Sequence, residues 1–136
     1  MSKSFSLVPI GWVHRQQART WIDVEPAFAD GLLGLDGFSH IHVLYWFHEN
    51  DTPSQRAVLQ VHPRKDSKNP LTGVFATHSP LRPNLLALTL CRILEISGTR
   101  IAVADLDARD GSPVIDIKCY IPYSVAPEAI TVPTWV

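Results

Sequence analysis

Leu85-Leu-Ala-Leu-Thr-Leu-Cys-Arg-Ile-Leu-Glu-Ile96, then Ser97-Gly98-Thr99, then Arg100-Ile-Ala-Val-Ala-Asp-Leu106 is the stretch whose reading decides the fold. Two apolar, β-favouring runs flank a short link that carries a glycine, and this order predicts an antiparallel hairpin. Upstream, Ser39 to Phe47 (SHIHVLYWF) is apolar at nearly every residue. That pattern predicts a central strand covered on both faces. Phe5 to Val13, Thr20 to Val24, Ala57 to Val61 and Val114 to Tyr120 read as further strands. Pro26 to Gly37 reads as a compact turn region with one helical turn at Pro26 to Ala29. Glu49 to Ser54, His62 to Pro70 and Asp110 to Pro113 are polar turns or loops.

The chain has 136 residues and 46% hydrophobic side chains, enough for one domain with a core. Eleven prolines disfavour long helices. The expected fold is all-β: one closed or partly open β-barrel with short helical turns, residues 5–123, followed by a tail at 124–136 that Trp135 anchors. Twelve basic and thirteen acidic side chains give a net charge of −1, so any grip on nucleic acid must come from a local patch. Cys91 and Cys119 lie apart in apolar runs, which suits reduced thiols and a cytoplasmic protein. Neither a signal-peptide core nor a run long enough for a membrane span is present.

Just before the hairpin stands Gly73-Val-Phe-Ala-Thr-His-Ser-Pro-Leu-Arg-Pro-Asn84. Val74, Phe75 and Thr77 favour an extended backbone. Ser79-Pro80 and Arg82-Pro83 then stiffen the chain into a loop that displays His78, Ser79, Arg82 and Asn84. After the hairpin comes Asp105-Leu-Asp-Ala-Arg-Asp-Gly-Ser-Pro-Val-Ile-Asp-Ile-Lys-Cys-Tyr-Ile-Pro-Tyr123. In its final strand Asp116, Lys118 and Tyr120 alternate on one face, while Ile117 and Cys119 point to the core.

The two stretches together resemble the TrmO family, also called YaeB-like or TsaA-like, whose members read close to G-V-F-A-T-R-S-P-x-R-P-N and D-x-x-D-G-T-P-V-L-D-I-K-P-Y-x-P. Ile10-Gly11 and Gly31 to Ile41 are similar to the family's early segments, so the likeness runs from Ile10 to Tyr123. The resemblance implies a barrel that binds S-adenosylmethionine (SAM) without a Rossmann fold, commonly as a homodimer. It also implies a tRNA methyltransferase acting on N6 of a threonylcarbamoyl-modified adenosine at position 37, beside the anticodon.

That chemistry assigns expectations to residues. Arg82 pairs the SAM carboxylate through its guanidinium fork. Phe75, Ala76, Thr77, His78 and Asn84 meet the adenine, the ribose or the sulfonium, and Asp105 the ribose diol or ammonium. Asp116, Lys118 and Tyr120 form the reacting face, with a carboxylate available as base. His40 and Arg64 contact substrate. Each has a plainer alternative. Arg82 can satisfy carbonyls of its own loop, Asp116 and Lys118 can be a surface ion pair, and Asp107 and Asp110 can be turn caps. Arg56, Arg64, Lys65 and Lys68 form either an RNA-facing patch or a solvated loop.

The six histidines lack the tight spacing of zinc ligands, so no metal is expected. His78 stands where the family has arginine, Leu85 and Cys119 where it has proline. The chain also ends soon after Tyr123, without the extension of the longer bacterial enzymes. Two further readings stay open: a SAM-binding module without tRNA activity, or a methyltransferase for another small amine.

Overall fold

The computed structural model describes residues 3–122 and 127–136. Tyr123 and the first tail residues lie outside the described part, whereas Trp135 is half-buried. Eight strands form: β1 (Gly11–Gln16), β2 (Arg19–Val24), β3 (His40–Trp46), β4 (Gln60–Val61), β5 (Thr72–Gly73), β6 (Leu86–Ser97), β7 (Arg100–Ala104) and β8 (Pro113–Cys119). Six of them close a barrel in the order β1-β2-β7-β6-β3-β8, and β4 pairs with β5 in a small separate ribbon. All pairings are antiparallel.

The predicted hairpin is β6–β7, with Ser97 opposite Arg100 across a turn at Gly98 and Thr99. Gly98 has φ +60°, a left-handed conformation that glycine adopts without Cβ strain. β6 is the longest strand. Its alternate residues Ala87 and Cys91 are buried, while Leu86, Leu88 and Leu90 face outward. β3 alternates the same way. Ile41, Val43 and Tyr45 are buried, and His40, His42, Leu44 and Trp46 between them only half so. The expectation of a strand covered on both faces is therefore corrected. A barrel wall has one packed side, and the apolar residues on its other side lack a covering layer within this chain.

Two bulges keep the core filled. Leu44 lies opposite Asp116 but Tyr45 opposite Val114, leaving Ile115 as the extra residue. Val114 and Ile117, three positions apart, can then both pack on the core. The same device at Leu94 lets Ile93 and Ile96 face inward. At the seam, Gly11 lies so close to β2 that a Cβ there would meet the Asp23 carbonyl oxygen at 2.5 Å.

Other boundaries moved for local reasons. Residues 5–10 are not strand, and of 57–61 only Gln60 and Val61 pair. Pro26–Leu32 is a seven-residue 3-10 helix. The motif loop is extended only through Gly73. Val74–Ala76 then forms a 3-10 turn, because the Thr77 amide and hydroxyl both donate to the Val74 carbonyl, at 3.1 and 2.8 Å.

Candidate functional site

Where β3 ends, the apolar run breaks into His48-Glu49-Asn50, a 3-10 turn at the barrel mouth. The β7–β8 connection crosses the same mouth. Asp105 takes φ +71°, a left-handed bend that aspartate tolerates, and turns the chain there. Leu106 and Ala108 plug the core, so the intervening Asp107 points the other way. Arg15 on β1 pins this connection: its Nη1 donates to the carbonyls of Leu106 (2.6 Å) and Ala108 (3.2 Å), and its amide to Asp110 Oδ1 (2.8 Å). Between the two segments lies a cavity of about 300 Å3, lined by residues 45–50, Asp107, Arg109, Ser112, Lys65 and Pro80.

The cavity floor is a hydrogen-bonded triad. Asp107 Oδ1 accepts from the Tyr45 hydroxyl at 3.0 Å and from Thr89 Oγ1 at 2.7 Å. Burial opposes the Asp107 charge, but those two bonds, its own backbone amide and the positive Arg15 outweigh it. The carboxyl is held below its ordinary value. Burial pushes the Tyr45 hydroxyl up to about 12, with Asp107 adding to the rise. The Cys91 thiol beneath rises to about 12, by burial first and then by the negative Asp107 and Asp105. At the rim, Arg109 Nε meets Glu49 Oε2 at 3.4 Å. Aromatic rings of Tyr45, Trp46 and Phe47 complete the wall.

The proline-braced loop reaches this cavity through Pro80. Ser79 and Leu81 amides are held by the hydroxyls of Thr77 and Ser79, and Arg82 Nη1 donates to the carbonyls of Thr77 (3.2 Å) and Ser79 (3.1 Å). Arg56 ties the loop's end to the body: its Nε donates to the Pro83 carbonyl at 2.8 Å, and its guanidinium lies 5.4 Å from the centre of the Trp46 ring. Phe75, Ala76, His78 and Asn84 are exposed on this loop, and none of them, nor Thr77 or Arg82, lines the cavity. Asp105 stands at the bend two residues from Asp107.

Asp116, Lys118 and Tyr120 do share a face, and it is the outer wall of the barrel. Asp116 Oδ1 accepts from the Ile117 amide at 2.9 Å, Lys118 is exposed, and the Tyr120 ring lies 5.5 Å from His42 and 6.3 Å from His40. His40 occupies the end of β3 away from the cavity. Arg64 is exposed beside Lys65. Of the four basic residues 56, 64, 65 and 68, Arg56 braces the loop and Lys65 lines the cavity. Among the described residues no group of three or more His, Cys, Asp or Glu side chains is placed to hold a metal, and no helix is long and apolar enough to cross a membrane.

His48, Glu49 and Arg109 were not among the site candidates from sequence, Asp107 was read there only as a turn cap, and Lys65 only as part of a basic patch or a solvated loop. The abrupt end of the apolar run at Phe47 was the available signal for the first two, because a strand end at a barrel mouth is where a site collects.

A model of the tRNA-methyltransferase O N-terminal domain matches residues 3–125. A "probable S-adenosyl-L-methionine-binding protein" of Pyrococcus horikoshii is 42% identical over 118 residues, 87% of this chain and 84% of its own. The tRNA (adenine(37)-N6)-methyltransferase of Mus musculus is 40% identical over 101 residues, 74% of this chain but 23% of its own. The crystal structure of TrmO from Pseudomonas aeruginosa superposes with a TM-score of 0.74 at 26% identity, covering 99% of this chain and 63% of that one. The chain thus spans less than two thirds of the solved structure it matches. With the motif loop, the barrel and this match over nearly its whole length, the chain belongs to the tRNA-methyltransferase O family, through that family's N-terminal domain.

Proposed function

We propose that this domain binds SAM in the cavity at the barrel mouth and transfers its methyl group to an exocyclic amine, N6 of a threonylcarbamoyl-modified adenosine at position 37 of tRNA. One observation carries the reading: the cavity combines aromatic walls, an ionised carboxylate and cations beside the family's proline-braced loop. The residues present fit the cofactor. Trp46 and Phe47 offer ring faces to a purine or a sulfonium, worth roughly 0.5–2 kcal/mol for a cation. Asp107 is a fixed negative charge, and Lys65, Arg109 and Glu49 surround a space suited to a zwitterionic amino-acid end. A volume of about 300 Å3 lies at the small end of ligand sites.

When bound, SAM supplies an electrophilic methyl group. The chain's own contribution is alignment and exclusion of water. Its rigid loop, whose hydroxyls and Arg82 close on neighbouring backbone, holds one wall without further ordering. Asp107, held below its ordinary value, serves better as an orienting charge than as a proton acceptor. On the outer wall, Lys118 and Tyr120 offer a cation beside a ring, a pairing suited to docking a single-stranded RNA loop.

A homodimer is part of the proposal, because Leu86, Leu88, Leu90 and Leu94 are 39–65% exposed on one outer face. Action in the cytoplasm follows from the substrates. The narrower alternative, a SAM-binding module without tRNA activity, is favoured by the archaeal relative, whose name stops at SAM binding and of which this chain spans 84%.

Calorimetric titration with SAM tests the shared part of both readings, and absence of heat removes them together. Nucleoside mass spectrometry of tRNA from a deletion strain separates them. Disappearance of the N6-methyl form of the threonylcarbamoyl nucleoside supports the enzyme; an unchanged profile leaves the binding module.

A further inference from the structure

Among the cavity's charged side chains, the described residues leave one ion without a counterpart. Arg109 is engaged by Glu49 at 3.4 Å, and Asp107 accepts from Tyr45 and Thr89 with Arg15 nearby. Lys65 lines the same cavity and forms no ion pair or side-chain hydrogen bond among the described residues. The backbone that delivers it is unusual. Arg64 and Lys65 both adopt left-handed φ, +60° and +56°, on a loop where neither is glycine. Such conformations persist only when the surroundings over-determine them.

Here they are over-determined. Pro63 is buried at the loop's start. Asn69 Nδ2 donates to the Pro63 carbonyl at 2.8 Å, the Asn69 carbonyl lies 2.8 Å from His62 Nδ1, and the Lys68 amide donates to Asp66 Oδ1 at 2.9 Å. The loop is stapled across its base, and its strained corner brings Lys65, exposed and without an ion pair among the described residues, to the cavity lining. We infer that Lys65 is the carboxylate-binding group of this site, a cation in the same lining as the anionic Asp107. A lysine presented as a point charge suits a carboxylate that enters and leaves, whereas Arg109 already faces Glu49 through Nε at 3.4 Å.

This inference rests on the proposed SAM site, where two carboxylates are available: the α-carboxylate of the cofactor and that of the threonylcarbamoyl group on the acceptor. The test uses purified full-length protein and Lys65→Met, which keeps the stem and removes the charge, with Lys65→Arg as the rescue. Titration is done with SAM and with decarboxylated SAM. If the cofactor carboxylate is the ligand, Lys65→Met loses about tenfold in affinity for SAM and nothing for the decarboxylated compound, and Lys65→Arg restores most of it. If the acceptor carboxylate is the ligand, SAM affinity holds while KM for the modified tRNA rises about tenfold at unchanged kcat. Unchanged values in both arms, with wild-type protein still binding SAM, overturn the role of Lys65 and leave the proposed function standing. Wild-type protein that ignores SAM overturns both.

Discussion

Asp107 sits among three aspartates that look alike in sequence, yet only its position in the fold distinguishes it. Asp105 bends the chain and Asp110 ties it to β1 by accepting from the Arg15 amide, while Asp107 is aimed at Tyr45 and Thr89 by the buried neighbours on either side. Sequence reading could see a turn-rich acidic segment; it could not see which carboxylate a plug of Leu106 and Ala108 would turn toward the mouth. Likewise it could set an anion fork beside a bond to its own loop as readings of Arg82, but not choose between them; Nη1 donates to two carbonyls of that loop. The triad gives a pH signature. Asp107 is depressed, so its stabilisation is full above the ordinary carboxylate value of 3.8 and is lost as pH falls through its own lower one. Tyr45 and Cys91 are raised from 10.0 and 9.0 to about 12, so their contribution is full below pH 9 and is lost as pH climbs toward 12. Urea midpoints across that alkaline range should fall together with the appearance of tyrosinate absorbance. Tyr45→Phe should cost about 1–2 kcal/mol at neutral pH and flatten the alkaline decline. A midpoint indifferent to alkali would mean that the triad is not closed in solution.

At the scale of elements, the hairpin β6–β7 and the strands β2, β3 and β8 were legible because their residue types, spacing and turn agree with one another. The 3-10 turn at Val74–Ala76 was not. There β-favouring side chains yield to a threonine that bonds back to the Val74 carbonyl, a preference that composition does not reveal. Nor were the bulges at Ile115 and Leu94, which only the geometry of closure demands. Two substitutions probe element geometry directly. Gly11→Ala drives a methyl group into the Asp23 carbonyl and should destabilise the barrel by about 1–3 kcal/mol in denaturant titrations. Arg64→Gly relieves one left-handed residue while leaving the Lys65 charge in place, and should raise stability by up to about 1 kcal/mol with SAM affinity retained. A loss of stability would show that Arg64 contributes contacts beyond its own backbone.

For the molecule as a whole, closure into a barrel was readable from the count and brevity of the strands, but strand order was not. The outward leucine face of β6 was not legible either, since alternation with Ala87 and Cys91 hides which set faces inward. Leu88 is 65% exposed, and on the proposed pairing through this face Leu88→Asp should leave a monomer's thermal stability nearly intact while halving the mass seen by light scattering. An unchanged mass would remove this face as the proposed interface. Reactivity toward thiol reagents offers a second whole-molecule check, in which Cys119, half-buried on β8, is modified well before Cys91 at 0% exposure.

The seam between β1 and β8 joins strands from opposite ends of the sequence through just two residue pairs, Gly11 with Val114 and Trp12 with Pro113, and the Gly111 amide donates to the Val13 carbonyl next to it. During synthesis neither this junction nor the β3–β8 pairing can form before β8 leaves the ribosome, about a hundred residues after β1. A nascent chain therefore cannot close its sheet into a ring until the final stave arrives. Ligand competence should switch on late and all at once, as a property of the completed hoop.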